Sequence, residues 1–432
     1  MNSYFSVFWF RRDLRLEDNM GLNAALTSGL KVIPIFIFDT DIINKLEKND
    51  LRIKMIHAAL VKLNGAMLGN SCNVGMYLGN PKAVFESLLK KYKIKSVFTN
   101  RDYEPYATKR DSLVKSFLEK KNVTFSSFKD QVIFEKDEVV KDDGNPYKVY
   151  TPYSRKWIEK LYSKGIETCN SEIKLNSLAK IALPYLSLKE IGFDEKPFDI
   201  PVFNIDYKRI EKYEETRNFP HLNSTSRIGA HLRFGLISIR KLVEKALKNS
   251  NKTYLKELIW REFFMQILWH FPYTQEKSFK PKYDNIRWLN NIDEFKKWCD
   301  GNTGYPLVDA GMRELNHTGF MHNRVRMLVG SFLCKHLLID WRWGERYFAK
   351  KLLDYEMSSN VGNWQWVAGC GVDASPYFRI FNPKEQIKKF DKDFRYIKKW
   401  VPDFQSSFYP KEIIDHKFAR NRCLETFKSA VA

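Results

Sequence analysis

Cysteine is scarce in this chain: six in 432 residues, at Cys72, Cys169, Cys299, Cys334, Cys370 and Cys423. No two form a C-x-x-C pair, so neither a zinc site nor a disulfide framework is expected, and the thiols read as buried packing. No run of about 18 apolar residues occurs, so no membrane span is predicted. Met1 to Ser6 carry no basic region followed by an apolar signal core, which makes a cytoplasmic protein the expectation. Gly-x-Gly-x-x-Gly is absent, which removes the usual fingerprint of a nicotinamide dinucleotide site. Acidic residues are outnumbered, 51 against 72 lysines and arginines, for a net charge of +21. A surplus of that size points to a polyanionic partner, nucleic acid first. Lysines such as Lys388, Lys389, Lys398 and Lys399 fit a plain solvated surface equally well.

Aromatic residues make up 15% of the chain, enough to suit stacking on exposed bases where they interleave with basic ones. The length predicts two domains. Short apolar runs over 6–10, 32–38, 74–78, 96–99 and 123–128 read as buried strands. Helical spacing over 52–68, 81–92 and 107–120 lies between them. Strands alternating with helices predict a parallel sheet covered on both faces, an α/β domain over 1–130. Residues 131–206 lack one sustained period, are broken by Pro146, Pro184, Pro197 and Pro201, and read as an irregular linker. Residues 207–432 read as helices with short breaks, an all-α domain.

Three places in the helical part carry chemistry. Tyr213, Arg217 and the run Ser224-Thr225-Ser226-Arg227-Ile228-Gly229 offer hydroxyls and backbone N–H groups at a helix start, a phosphate cradle or a simple N-cap. Glu257, Trp260, Arg261 and Phe264 share one helix face, while Ile259, Phe263 and Ile267 share another suited to core. A face with glutamate, tryptophan and arginine together suits an extruded base, which the indole stacks on and the carboxylate binds at its edge. A surface Glu–Arg pair beside a packing tryptophan fits the same spacing. The third place is Asp354-Tyr355-Glu356-Met357-Ser358-Ser359-Asn360-Val361-Gly362-Asn363-Trp364-Gln365-Trp366, where acids and amides meet two tryptophans. A buried Asp354 would need a cation, and Arg326 is the candidate.

That third stretch stands in a longer context. Upstream are Thr303-Gly304-Tyr305-Pro306-Leu307-Val308-Asp309-Ala310-Gly311-Met312-Arg313 and Thr318-Gly319-Phe320-Met321-His322-Asn323-Arg324-Val325-Arg326-Met327. Downstream is Tyr377-Phe378-Arg379-Ile380-Phe381-Asn382-Pro383. In this order and spacing the chain resembles the DNA photolyase and cryptochrome family, most of all its class I cyclobutane-dimer enzymes. Phe8-Trp9-Phe10-Arg11-Arg12-Asp13-Leu14-Arg15 and Asn100-Arg101-Asp102-Tyr103-Glu104-Pro105-Tyr106-Ala107 resemble segments of the family's antenna domain, and Tyr150 to Trp157 a segment near its domain junction.

The resemblance implies a Rossmann-like antenna domain joined by a long linker to an all-α FAD-binding domain. It implies a monomer that binds ultraviolet-damaged DNA and repairs cyclobutane pyrimidine dimers by light-driven electron transfer from reduced FAD to a flipped-out dimer. It assigns the flavin to Tyr213, Thr225, Ser226, Arg227, Ile228, Gly229, Arg261, Arg326, Asp354, Tyr355, Glu356 and Asn360. It assigns DNA contact to Arg217, Glu257, Trp260, Arg261, Asn323, Arg324 and Gln386, and catalysis to Glu257, Trp260, Asn323, Met327 and Asn360. Trp364, Trp341 and Trp288 align with the family's electron chain. Gly229, Tyr254 and Glu356 depart from the residues often found there, which are serine, tryptophan and aspartate.

Branch and role also follow from matching positions. Enzymes of the family that repair (6-4) photoproducts carry two histidines four residues apart where this chain has Asn323 and Met327, so the cyclobutane-dimer branch is expected, with His322 structural. Asn360 aligns with the residue facing flavin N5, where an amide suits a flavin held reduced. The rival is a cryptochrome-like blue-light receptor that signals through a partner; Asn360, the positive charge and the lack of a long polar C-terminal extension favour repair. A folate antenna is held in some members by an amide and a carboxylate at positions occupied here by Tyr106 and Ala107, which offer neither. A deazaflavin, a flavin, another folate mode or no antenna stay open.

Overall fold

A computed structural model describes residues 4–67, 69 and 72–431. Its two compact units are each built from several stretches of chain. The first holds residues up to Glu138, Ile158–Phe203 and Arg227–Lys248; the second holds Val139–Trp157, Asn204–Ser226 and residues from Asn249 onward.

In the first unit five strands form one sheet: β1 (Phe5–Phe10), β2 (Lys31–Asp39), β3 (Gly75–Gly79), β4 (Ile94–Asn100) and β5 (Thr124–Phe128). The order is β3-β2-β1-β4-β5 and every pairing is parallel. Parallel neighbours require crossovers, which the helices α1 (Met20–Leu26), α2 (Leu51–Met67), α3 (Pro81–Lys91) and α4 (Pro105–Glu119) supply. Val7, Trp9, Ile33, Ile35 and Val97 are buried in the core between sheet and helices, as continuous apolar strands demand. Five of the six cysteines are buried as well. Each predicted strand and helix of this unit has its counterpart within two residues. Of the expected helix over 52–68, Leu68 lies outside the described residues, as do Met1 to Ser3 of the N-terminal reading.

The strand order reverses between β1 and β4, the place where open α/β sheets take ligands at their carboxyl ends. Here the chain fills that place itself. Asn100 Nδ2 donates to Asp13 Oδ2 (2.5 Å) and Asn19 Oδ1 (2.8 Å), while Gly21 N donates to Asn100 Oδ1 (2.8 Å). Burial, with Asp130 next, raises the Asp13 carboxyl to about 6.

The units divide the chain differently from the expected boundaries at 130 and 206. Residues 131–206 are shared between both units. Arg227–Lys248, expected in the helical domain, belongs to the α/β unit. The reason is electrostatic: Arg240 is buried and donates to both Asp18 and Asp130 at 2.8 Å, and Arg15 also pairs with Asp130 at 2.8 Å. Buried carboxylates without such cations would be destabilising by several kcal/mol, as a rough guide. The stretch read as irregular also contains a 15-residue helix, α5 (Tyr150–Lys164).

The second unit is helical. Its main elements are α6 (Thr253–His270), α7 (Pro306–Thr318), α8 (Asn323–Ser331), α9 (Trp341–Lys351) and α10 (Met357–Ala368). Its core gathers Trp298, Tyr305, Met312, Phe332, Trp341 and Trp364, all buried. Asp309 in α7 is structural: it accepts from Thr303 N (2.8 Å), Thr303 Oγ1 (2.6 Å) and Gly304 N (3.1 Å), and Tyr409 Oη donates to it. Gly362 sets the approach of α6 and α10, since a Cβ there would lie 2.2 Å from Phe264 Cδ1.

Candidate functional site

A cavity of about 510 Å³ opens in the helical unit. Several helices bring its lining together. From α6 come Glu257, Trp260, Arg261 and Phe264, one face of the helix, while Ile259, Phe263 and Ile267 point into the core. From α8 come Asn323, Arg324, Arg326 and Met327; from the turn before α10 and its first half come Asp354, Tyr355, Glu356 and Asn360. Tyr213, Arg217 and Thr225 add to the wall, with Phe348 of α9 and Trp364 of α10.

Charge in the cavity is arranged in pairs. Arg326 Nη2 donates to both oxygens of Asp354, at 3.1 and 2.9 Å, and its Nε donates to Met321 O at 2.7 Å. The Nη2 contact to the carboxylate and the Nε contact to the carbonyl together fix the orientation of the guanidinium. Arg217 pairs with Glu257. Burial raises the pKa of Glu257, and the Arg217 charge opposes the rise. Arg324 donates to Asn218 Oδ1 and lies 4.4 Å from the Phe390 ring centroid. Its pKa is lowered by burial and then by the like charges of Arg217 and Arg379. His322 is structural: its Nδ1 accepts from Arg324 N at 3.2 Å and caps α8.

Glu356 also caps a helix. Its Oε2 accepts from Ser359 N at 3.0 Å and from the Ser358 hydroxyl, at the start of α10. Asn360 is held by a residue that sequence reading did not single out: its Nδ2 donates to Glu345 Oε1 (2.9 Å) and Glu345 O (3.2 Å). The amide nitrogen is thereby engaged with α9. Burial raises the Glu345 carboxyl, and the Asn360 hydrogen bond counters this.

Trp260 is stacked on Tyr150, with ring centroids 3.7 Å apart and planes within 6°. Tyr150 Oη donates to Lys256 O at 2.7 Å, and Trp157 Nε1 donates to Glu262 Oε1 at 2.6 Å. The start of α5, expected in a linker, is thus the backing of the α6 tryptophan. The resemblance of Tyr150 to Trp157 to a family segment near the domain junction was the one hint of this in the sequence. Tyr213 meets Tyr254 edge-on at 5.2 Å, and Tyr254 Oη donates to Ser226 Oγ at 3.1 Å.

Some predicted site residues stand elsewhere. Ser226 is buried against Tyr254 and, like Gln386, is not part of the cavity wall. Arg227, Ile228 and Gly229 belong to the α/β unit, with Arg227 in the left-handed region at φ 51°. Trp364 lines the cavity, whereas Trp341 is buried in the core and Trp288 is half-buried against Phe427 at 5.8 Å.

The chemistry of this wall suits a large, flat, partly anionic ligand. Arginines can meet negative charge, Asp354 and Glu356 can accept from N–H and hydroxyl groups, and Trp260 and Phe264 offer apolar faces. Fold and site together define a class: a unit built on a parallel sheet and a helical unit with a cofactor-sized cavity, interleaved along the chain.

Comparison with known proteins gives that class its family. A family model described as "DNA photolyase" matches residues 6–171, and one described as "FAD binding domain of DNA photolyase" matches residues 254–408. The chain is 33% identical to the deoxyribodipyrimidine photo-lyase of Vibrio cholerae, covering 98% of this chain and 99% of that protein. The Escherichia coli enzyme of the same name is 33% identical, over 98% of each. A bacterial class III photolyase from Agrobacterium tumefaciens superposes with a TM-score of 0.88 at 32% identity, covering 100% of this chain and 98% of that one. An archaeal photolyase from Sulfolobus tokodaii, described with two FAD molecules, gives 0.81 at 30% identity, covering 98% and 100%. The fold is shared with a Synechocystis cryptochrome, at 0.85 and 24% identity, covering 98% and 99%. The chain belongs to the DNA photolyase family, and its helical unit carries that family's FAD-binding domain. Among the described residues no helix is long and apolar enough to cross a membrane.

Proposed function

We propose that this protein is a deoxyribodipyrimidine photo-lyase that repairs cyclobutane pyrimidine dimers in DNA. The observation that carries the reading is the α6 face: Glu257, Trp260 and Arg261 enter one cavity together, beside the Arg326–Asp354 ion pair. FAD bound in this cavity supplies a light-excited one-electron donor, and the dimer is the acceptor whose ring opens.

The remaining tasks fall to the chain. Arg326 and Asp354 would hold the cofactor, the guanidinium favouring negative charge on it. Asn360 is locked by Glu345, so the orientation of its amide is set before the cofactor arrives. An amide has no titrating proton to deliver, which suits a cofactor kept reduced. Trp260, backed by Tyr150, is a rigid platform for a base taken out of the duplex. Glu257, paired with Arg217, accepts from the N–H edge of that base. Asn323 and Met327 flank it without a histidine pair, which is why the cyclobutane dimer is preferred to the (6-4) product. The net charge of +21 draws the protein to the DNA backbone. Trp364, on the cavity wall, would be the residue of this chain placed to exchange electrons with the cofactor.

Mixing purified, reduced protein with ultraviolet-damaged DNA tests the proposal. Under blue light cyclobutane dimers disappear and in the dark they persist, with a (6-4) substrate unchanged in parallel. Persistence of dimers in the light by flavin-loaded protein would refute repair and leave the blue-light receptor reading.

A further inference from the structure

By resemblance, the electron path from Trp364 continues to Trp341 and Trp288. The structure sets a different tryptophan against Trp364. Trp298, on the helix Ile292–Asp300, is fully buried and meets Trp364 edge-on, with ring centroids 6.1 Å apart and an interplanar angle of 69°. Tyr347 of α9 meets Trp298 edge-on in turn, at 5.7 Å and 64°. The Tyr347 ring is half-buried, and its hydroxyl emerges at the surface 2.6 Å from Asn316 Oδ1 and 3.2 Å from Cys299 O. Three redox-capable rings therefore run in contact from the cavity wall to solvent.

We propose that Trp298 and Tyr347 form a branch of the photoreduction path that ends on a surface tyrosine. The branch rests on the flavin reading given above. Trp364 loses one electron to the light-excited oxidised flavin and regains it from Trp298. Trp298 regains its electron from Tyr347, whose phenolic proton passes to bulk water. The net transfer is one electron inward and one proton out, leaving a neutral tyrosyl radical. A thiol reductant in solution restores Tyr347 by donating a hydrogen atom.

The surroundings favour that direction. Trp298 Nε1 donates to Val329 O at 3.2 Å, and a carbonyl acceptor stabilises the indole when it carries positive charge. Positive charge is costly on buried rings such as Trp364 and Trp298, whereas the end of the branch can shed it as a proton to water. Asn316 accepts the Tyr347 hydrogen bond and orients the hydroxyl; an amide oxygen is too weak a base to keep the proton. On the other route the Arg342 guanidinium lies 4.8 Å from the Trp341 ring centroid. A cation there disfavours a second positive charge, although Asp284 and Asp340 pair with Arg342 and screen it.

The test uses the full chain loaded with oxidised flavin, in wild-type form and as W364F, W341F, W298F, W298F/W341F and Y347F. Light-induced electron paramagnetic resonance and transient absorption report which side chain holds the radical, independently of DNA repair. The wild type is expected to show a tyrosyl signal that Y347F removes, and W298F to slow photoreduction at least twofold. W341F is expected to keep measurable photoreduction, and W298F/W341F to lose it as fully as W364F. Absence of a tyrosyl signal in the wild type, its persistence in Y347F, or a W341F as inactive as W364F would overturn the branch. Y347F deletes one surface oxygen, so its result stands even if the core substitution W298F unfolds the chain. A wild type that takes up no flavin overturns the functional reading and the branch with it. A flavin-loaded wild type whose radicals bypass Tyr347 overturns the branch alone.

Discussion

Replacing Glu257 by glutamine keeps the shape of the α6 face and removes one charge from it. In the structure this carboxylate pairs with Arg217, with side chains 37% and 35% exposed. A hydrogen bond to a charged group contributes about 1.5–3 kcal/mol, and exposure of about a third argues for the lower end. Lesion binding should therefore weaken by about 1.5 kcal/mol, roughly tenfold. Burial holds the Glu257 pKa above the ordinary glutamate value, with Arg217 opposing. As pH falls through that raised value the carboxylate takes up a proton and loses acceptor capacity. Affinity for the lesion should thus decline at a higher pH than an exposed glutamate would give, and the glutamine variant should lose that step. Fluorescence anisotropy in the dark, with a dimer-containing oligonucleotide and its undamaged twin, measures both effects. Flavin absorbance of the variant should match the wild type, because the cofactor is assigned to the Arg326–Asp354 side. An unchanged ratio of lesion to undamaged affinity in E257Q, or an unchanged pH profile, would refute the role given to Glu257.

Three further outcomes are expected. Trp260→Ala removes a stacking platform backed by Tyr150 at 3.7 Å, and lesion affinity measured against undamaged DNA should fall by about 1–3 kcal/mol. Asp354→Asn removes the charge that pairs with Arg326 Nη2, and flavin should bind about 1–3 kcal/mol more weakly, read by titration of the deflavinated protein. Gly362→Ala puts a methyl 2.2 Å from Phe264 Cδ1, which must push α6 and α10 apart. Thermal unfolding should show a loss of about 1–3 kcal/mol, with weaker flavin retention.

The sequence by itself determined the elements. Strands β1 to β5 and the helices α2, α3 and α4 were legible because continuous apolar runs and helical spacing are local signals, whereas the short α1 was not assigned. The α6 face was legible for the same reason, since spacing alone places Glu257, Trp260, Arg261 and Phe264 side by side. Opposite charge suggested Arg326 for Asp354, and the structure joins them. The tertiary structure alone decided which residues share a neighbourhood across long stretches of chain. Tyr150 lies 110 positions before Trp260 and belongs to a stretch whose period was too weak to assign, yet it forms the floor behind that ring. Glu345 holds Asn360 through a contact between two helices, and Trp298 reaches Trp364 through a buried core; neither leaves a mark in local sequence. Arg227 to Gly229 fell to the α/β unit because the buried carboxylates Asp18 and Asp130 claim Arg240, a long-range electrostatic demand that no periodicity records.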